Sequence, residues 1–225
     1  MTHPIVALVL SKQTSDGFTD GALLELADAF RAIARDPAGV VAIYETIGLL
    51  ASLAGVLIGF VVRWRLSALA YRHDAEVGQP HPGPRWWIPL ATATASGLLA
   101  WRFGVDRWPL LLPTLPLAWC GPWLSAIDLD VRRLPNRLLA AHAALVAAGV
   151  GAAAVIADDA AIAIRAALGG AVAFAVFWVL DRLRPGGFGW GDGKYVPILG
   201  AATAAVSLTV AWWTFLLACL AAVMA

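Results

Sequence analysis

Long apolar runs separated by short polar stretches dominate the chain, and each run is close to the length a helix needs to cross a bilayer, about 20 residues with roughly 17 to 25 usual. On that measure the sequence predicts six spans, over residues 40–62, 87–104, 109–127, 138–156, 163–181 and 197–223. The last run begins through Pro197 and Gly200, so it reads either as one long helix or as a short helix followed by another. Ahead of the spans the period changes. From Asp20 to Arg35, Leu23, Leu24, Leu26, Ala27, Phe30, Ile33 and Ala34 gather on one side, with Glu25, Asp28, Arg31 and Arg35 largely elsewhere. That pattern predicts an amphipathic helix outside the bilayer or on its surface, with a poorly ordered extension as the alternative. The run from Pro4 to Leu10 is too short, and lacks the basic flank, for a secretory signal. The predicted fold class is all-α, a polytopic transmembrane helix bundle of about six spans. Residues 1–38 form an N-terminal extension and residues 39–225 a membrane domain.

Composition agrees with the pattern. The chain is 60% apolar and 14% charged, with a mean hydropathy of +0.76, which places it in lipid rather than water. A formal charge of +1 gives no reason to expect a nucleic-acid partner. Cys120 and Cys219 lie in apolar runs and read as small buried hydrophobes, so neither a disulfide framework nor a metal site is expected.

The distribution of basic residues predicts orientation, because cytoplasmic loops collect Lys and Arg. Arg63, Arg65, Arg72 and Arg85 follow the first span, Arg132, Arg133 and Arg137 the third, and Arg182, Arg184 and Lys194 the fifth. These three connections therefore belong together on the cytoplasmic side. Lys12, Arg31 and Arg35 argue weakly the other way. Trp64, Trp86, Trp87, Trp101 and Trp108 fall near span ends, as aromatic anchors at the headgroups do. The stretch from His73 to Pro84, with Gly78, Pro80, Pro82 and Gly83, predicts a loop without regular structure.

Acids at span ends are the candidate chemistry, since a carboxylate at membrane depth is costly and usually faces a cavity or a partner. Asp74 and Glu76 read as solvated surface, and Asp181 as an interfacial ion pair with Arg182 or Arg184. Asp128 ends the third apolar run, and Asp192 lies in Gly189-Trp190-Gly191-Asp192-Gly193-Lys194, between two apolar segments. Asp130, two residues on from Asp128, points to a different side and is expected to face Arg132 and Arg133. Leu134-Pro135-Asn136 stops one segment and starts the next, with Asn136 suited to cap it. Gly189, Gly191 and Gly193 remove Cβ atoms at alternate positions, which frees the backbone and lets another chain approach. Two carboxylates sharing a site cannot both ionise readily. One then holds a proton while the other acts as base towards a water between them. The dipole at the end of one helix disfavours charge on Asp128, and that at the start of the next favours it on Asp192, so the resting proton is expected on Asp128.

At these residues the chain resembles the bacterial type IV prepilin peptidases, intramembrane aspartyl proteases of the GxGD type. That family pairs an Asp seven residues before the Pro of a D-x-x-x-x-x-[IL]-P motif, here Asp128 to Pro135, with the Asp of a G-x-G-D-x-K motif, here Gly189 to Lys194. Gly55-Val56-Leu57-Ile58-Gly59-Phe60 is similar to the family's opening helix, and Pro84-Arg85-Trp86-Trp87 to the entry to its second. The resemblance spans about residues 45 to 205. It implies an aspartic endopeptidase of the inner membrane, with Asp128 and Asp192 catalytic at the cytoplasmic face. Gly189, Gly191, Gly193, Lys194 and Pro135 would support them. The implied partners are the lipid bilayer and the helix of a prepilin or pseudopilin, whose short basic leader is removed, and no cofactor is implied. Many members carry two Cys-x-x-Cys pairs in the first cytoplasmic loop, but residues 63–86 contain no cysteine, so that metal-binding subdomain is absent. The family usually has eight spans, which implies that one or two terminal helices are missing here. Two rival readings are an inactive or truncated homologue serving as a structural membrane subunit, and a small ion-coupled transporter.

Overall fold

A computed structural model describes residues 37–76, 78–183 and 189–224. The predicted amphipathic helix, Arg184 and the rest of the extension before Pro37 lie outside the described residues. Those described form seven α-helices and no strands: α1 Pro37–Ser67, α2 Trp87–Phe103, α3 Leu111–Val131, α4 Asn136–Ile156, α5 Ala160–Leu183, α6 Trp190–Val206 and α7 Leu208–Met224. The chain folds as the all-helical bundle that its hydropathy predicts. Four segments, Val40–Ser67, Trp108–Val131, Asn136–Ile156 and Ala160–Leu183, are long and apolar enough to cross a membrane. The outer surface is apolar as well, with Leu49, Leu50, Leu53 and Leu57 of α1 more than half exposed. In water such a face would be an association site; around a helix bundle it is what lipid requires. This is a membrane protein.

The last predicted span divides, but not where its sequence is most disturbed. Pro197 is accommodated inside α6. The break falls at Ser207, which is extended (φ −168°, ψ 155°) and whose Oγ accepts the Val210 N–H at 3.1 Å, capping α7. The serine before an apolar run was the legible signal.

Helices pack mainly on their sequence neighbours, most closely α1 on α2 and α5 on α6. Lipid supplies little hydrophobic drive between helices, so close backbone approach and interhelical hydrogen bonds carry much of the association. Gly55 shows both. A Cβ there would stand 2.6 Å from the Thr92 carbonyl oxygen and 2.8 Å from Ala93 Cα, and its own carbonyl accepts a hydrogen bond from Thr92 Oγ1 at 2.7 Å. Gly55→Leu is therefore expected to push α1 from α2 at a cost of about 3 kcal/mol, the upper range for overpacking. A drop in the unfolding temperature of the detergent-solubilised protein would register it, and an unchanged value would refute this account of the contact.

Candidate active site

Three connections gather at one end of the bundle: the 68–86 loop, the 132–135 turn and the start of α6. At the opposite end, Tyr44 of α1 donates to Asp106 at 2.6 Å. Gathering depends on how α3 stops. Its C-cap, Arg132, takes the left-handed conformation (φ 51°, ψ 37°) and donates its N–H to the Asp128 carbonyl. This terminates the helix one turn beyond Asp128. Pro135, extended at φ −64° and ψ 123°, then starts α4. Asn136 is the first residue of that helix and not its cap, correcting the expectation. Its side-chain oxygen instead accepts a 2.8 Å hydrogen bond from Lys194 Nζ of α6.

On the other side of the site Gly189 is the extended N-cap of α6 (φ −72°, ψ 133°), and its carbonyl accepts the Gly193 N–H. Asp192 stands in the first helical turn with its side chain exposed, while Asp128 is half-buried. None of the three glycines takes a positive φ, so the expected release from backbone strain is not what they supply. Close approach is. Gly193 is buried, and a Cβ there would run into the Phe177 ring of α5. At Gly191 the contact is Leu134 of the other motif, whose Cβ and Cγ would be 3.4 Å from an added Cβ. The two motifs thus meet at three points: Leu134 against Gly191, Asn136 against Lys194, and the two carboxyls, close enough for the charge of Asp128 to act on Asp192.

Asp130 does not face Arg132 and Arg133. It turns towards the 68–86 loop, accepting hydrogen bonds from Tyr71 Oη at 2.5 Å and from Arg72 at 2.8 and 3.0 Å. Arg85 adds an ion pair at 3.4 Å and also donates to the Tyr71 hydroxyl at 2.7 Å. Only 7% of the Asp130 side chain and 3% of that of Arg72 are exposed, so this pair is shielded from water. Arg133 reaches Glu76 with two bonds of 2.7 Å and the Tyr71 carbonyl at 2.6 Å. Glu76 is accordingly not a free surface acid. Arg133, and then the His73 N–H, hold its carboxyl down to about 2. The loop is also less irregular than expected, with a short 3-10 turn at Asp74–Glu76. Sequence reasoning missed this clamp because the partners that join the loop to the end of α3 lie 45 to 62 residues apart and form no local motif. Among the described residues Asp181 forms no ion pair, and Arg182 lies over Trp178 at 4.8 Å; Arg184 lies outside the described residues.

An apolar groove of about 720 Å³ leads away from the Asn136–Lys194 contact. Small residues line it, among them Ala140, Ala143 and Ala147 of α4, and Ala166 and Gly170 of α5. It lies where α4 and α5, consecutive in the chain, pack only lightly on one another. Among the described residues no cluster of three His, Cys, Asp or Glu could hold a metal ion.

Two acids presented from two helix ends, beside an apolar groove, can polarise a water next to an extended chain. Comparison with known proteins adds the family. The model of the type IV leader peptidase family matches residues 115–225, which contain both acidic motifs; the similarities at Gly55–Phe60 and Pro84–Trp87 lie outside the matched residues. No curated protein and no solved structure matches the chain. Through residues 115–225, the chain belongs to the type IV leader peptidase family.

Proposed function

We propose that this chain is an aspartic endopeptidase that removes the basic leader from type IV prepilins or pseudopilins, with Asp128 and Asp192 as its catalytic pair. The observation that carries the reading is the meeting of the two motifs at one end of the bundle, through Leu134 and Gly191, Asn136 and Lys194, and the two acids. A charge on either carboxyl opposes a charge on the other, so the mechanism runs with one member ionised and the other protonated. The ionised member takes a proton from a water, which attacks the scissile carbonyl. The protonated member donates to the carbonyl oxygen, and the proton held by the base goes to the leaving amine. Gly191 and Gly193 let Leu134 and Phe177 pack against the start of α6, exposed Gly189 leaves room beside Asp192 for an extended leader, and Lys194 holds Asn136 at the mouth of the groove. The apolar helix of the substrate lies along that groove in lipid.

The site faces the cytoplasm of the plasma membrane, because Arg63, Arg65, Arg72, Arg85, Arg132, Arg133 and Lys194 collect at that end. The test is reconstitution of the full chain in lipid nanodiscs with a prepilin bearing its leader, followed by mass analysis of the products. One cut between leader and apolar helix is expected from the wild type, and intact substrate from Asp128→Ala and Asp192→Ala. Cleavage surviving both substitutions would sink the assignment, and no cleavage by any of the three would favour a structural subunit.

A further inference from the structure

His142 of α4 is fully buried, and among the described residues neither ring nitrogen has a hydrogen-bond partner. A neutral imidazole carries one donor and one acceptor, and leaving both unpaired at hydrocarbon depth is costly. The residue lies six positions beyond Asn136, about 9 Å deeper along the helix. Its nearest aromatic neighbour is Tyr195 of α6, with ring centroids 5.7 Å apart and planes tilted by 41°. Tyr195 follows Asp192 by three residues, hence by one helical turn. Its hydroxyl approaches α3 at Gly121, where an added Cβ would be 3.7 Å away. Gly121 in turn precedes Asp128 by seven residues, two turns down the same face of α3. On that stretch of α3, Pro122 has no N–H to give the carbonyl of Ala118, which leaves a further backbone acceptor in the interior.

Polar groups therefore continue from the two acids into the bundle: the Tyr195 hydroxyl one turn below, then both nitrogens of His142. We propose that His142 and Tyr195 bind an internal water beneath the acid pair, continuous with the water that the pair activates. The catalytic half of this inference rests on the function proposed above; the water site does not. A buried water needs two to four polar partners, and the imidazole and the phenol supply them. Water fits better than a metal ion, since no third His, Cys, Asp or Glu joins the imidazole among the described residues. Hydrolysis consumes one water per bond cut, and a lipid-embedded site cannot refill from its apolar walls. His142 and Tyr195 would thus be positioning residues that keep the pair hydrated while a substrate helix covers the groove.

Water-edited solid-state NMR of the full chain in nanodiscs, labelled with nitrogen-15 at histidine, leucine and valine, reads the inference directly. Magnetisation from water should reach His142 as it reaches His73 and His81 of the loop, while Leu139 and Val146 beside it on α4 stay dry. His142→Phe removes the signal and so assigns it. A His142 as dry as Leu139 would overturn the proposal. Kinetics test its purpose: His142→Leu and Tyr195→Phe are expected to lower kcat about tenfold with KM unchanged, and His142→Gln, which can still hold a water, to retain most of the rate. His142→Leu should also unfold no earlier than the wild type, because imidazole and water leave together. Earlier unfolding with an unchanged rate would make His142 a packing residue and refute the role. Wet His142 in a chain that cuts no leader would uphold the water site and fail only the function it serves.

Discussion

Asp128→Asn and Asp192→Asn are each expected to reduce leader cleavage by about 10³-fold or more, and the double variant to be little worse than either. An amide cannot serve as base, and a lone carboxylic acid cannot be base and acid in the same step, so losing one member disables both. Neither substitution should unfold the protein, because Asp192 is exposed and Asp128 half-buried at a helix end. Unfolding temperatures close to the wild type would establish this. Losses that multiply in the double variant would mean that the acids act independently, which the shared-water mechanism forbids. The same variants locate the resting proton. Helix ends favour charge on Asp192 and a proton on Asp128, so the protonated carboxyl infrared band should vanish in Asp128→Asn and persist in Asp192→Asn. The structure favours the opposite placement, since partial burial and then the charge of Asp128 push the Asp192 carboxyl up; a band that vanishes in Asp192→Asn instead would put the proton there.

Asp130→Leu should damage the enzyme nearly as much, by a different route. The substitution leaves the Arg72 and Arg85 guanidiniums at the position of Asp130 without their carboxylate, in a pocket where Asp130 itself is 7% exposed. Removing one partner of a shielded ion pair is more damaging than never having had the pair, because the other charge stays desolvated. The 68–86 loop should detach, exposing its backbone to limited proteolysis near Pro80, and the end of α3 that carries Asp128 should loosen. Cleavage should fall through kcat more than KM if the loop positions the acid. Protease resistance equal to the wild type would refute the clamp. The second half of the clamp is acid-sensitive. Glu76 has a folded value of about 2 against 4.5 for the free group, so its contribution is complete above about 4.5 and is lost as pH falls towards 2.

The helices were legible because hydrocarbon thickness imposes a similar length on every crossing segment: all six predicted runs reappear as helices, the last as α6 and α7, and four segments are long and apolar enough to cross a membrane. The two acids were legible because a carboxylate bordering an apolar run is rare, and the spacing to Pro135 and the glycines around Asp192 marked each one. What stayed hidden was pairing over distance. Nothing near Asp130 names Arg72 or Tyr71, so the nearer Arg132 and Arg133 stood as its expected partners. Glu76 looked solvated because its loop is polar, although Arg133 folds back upon it. His142 was visible as a polar residue inside a predicted span, but only the packing showed both of its nitrogens unpaired.

Light packing between α4 and α5 has a mechanical meaning. α6 rests chiefly on α5 and touches α3 and α4 lightly, whereas α3 and α4 hold closely to one another. Asp128 and Asp192 therefore ride on two helix pairs, α3 with α4 and α5 with α6, that meet along a lightly packed seam. A substrate helix lying between α4 and α5 would touch both pairs. What occupies the seam thereby bears on both acids at once.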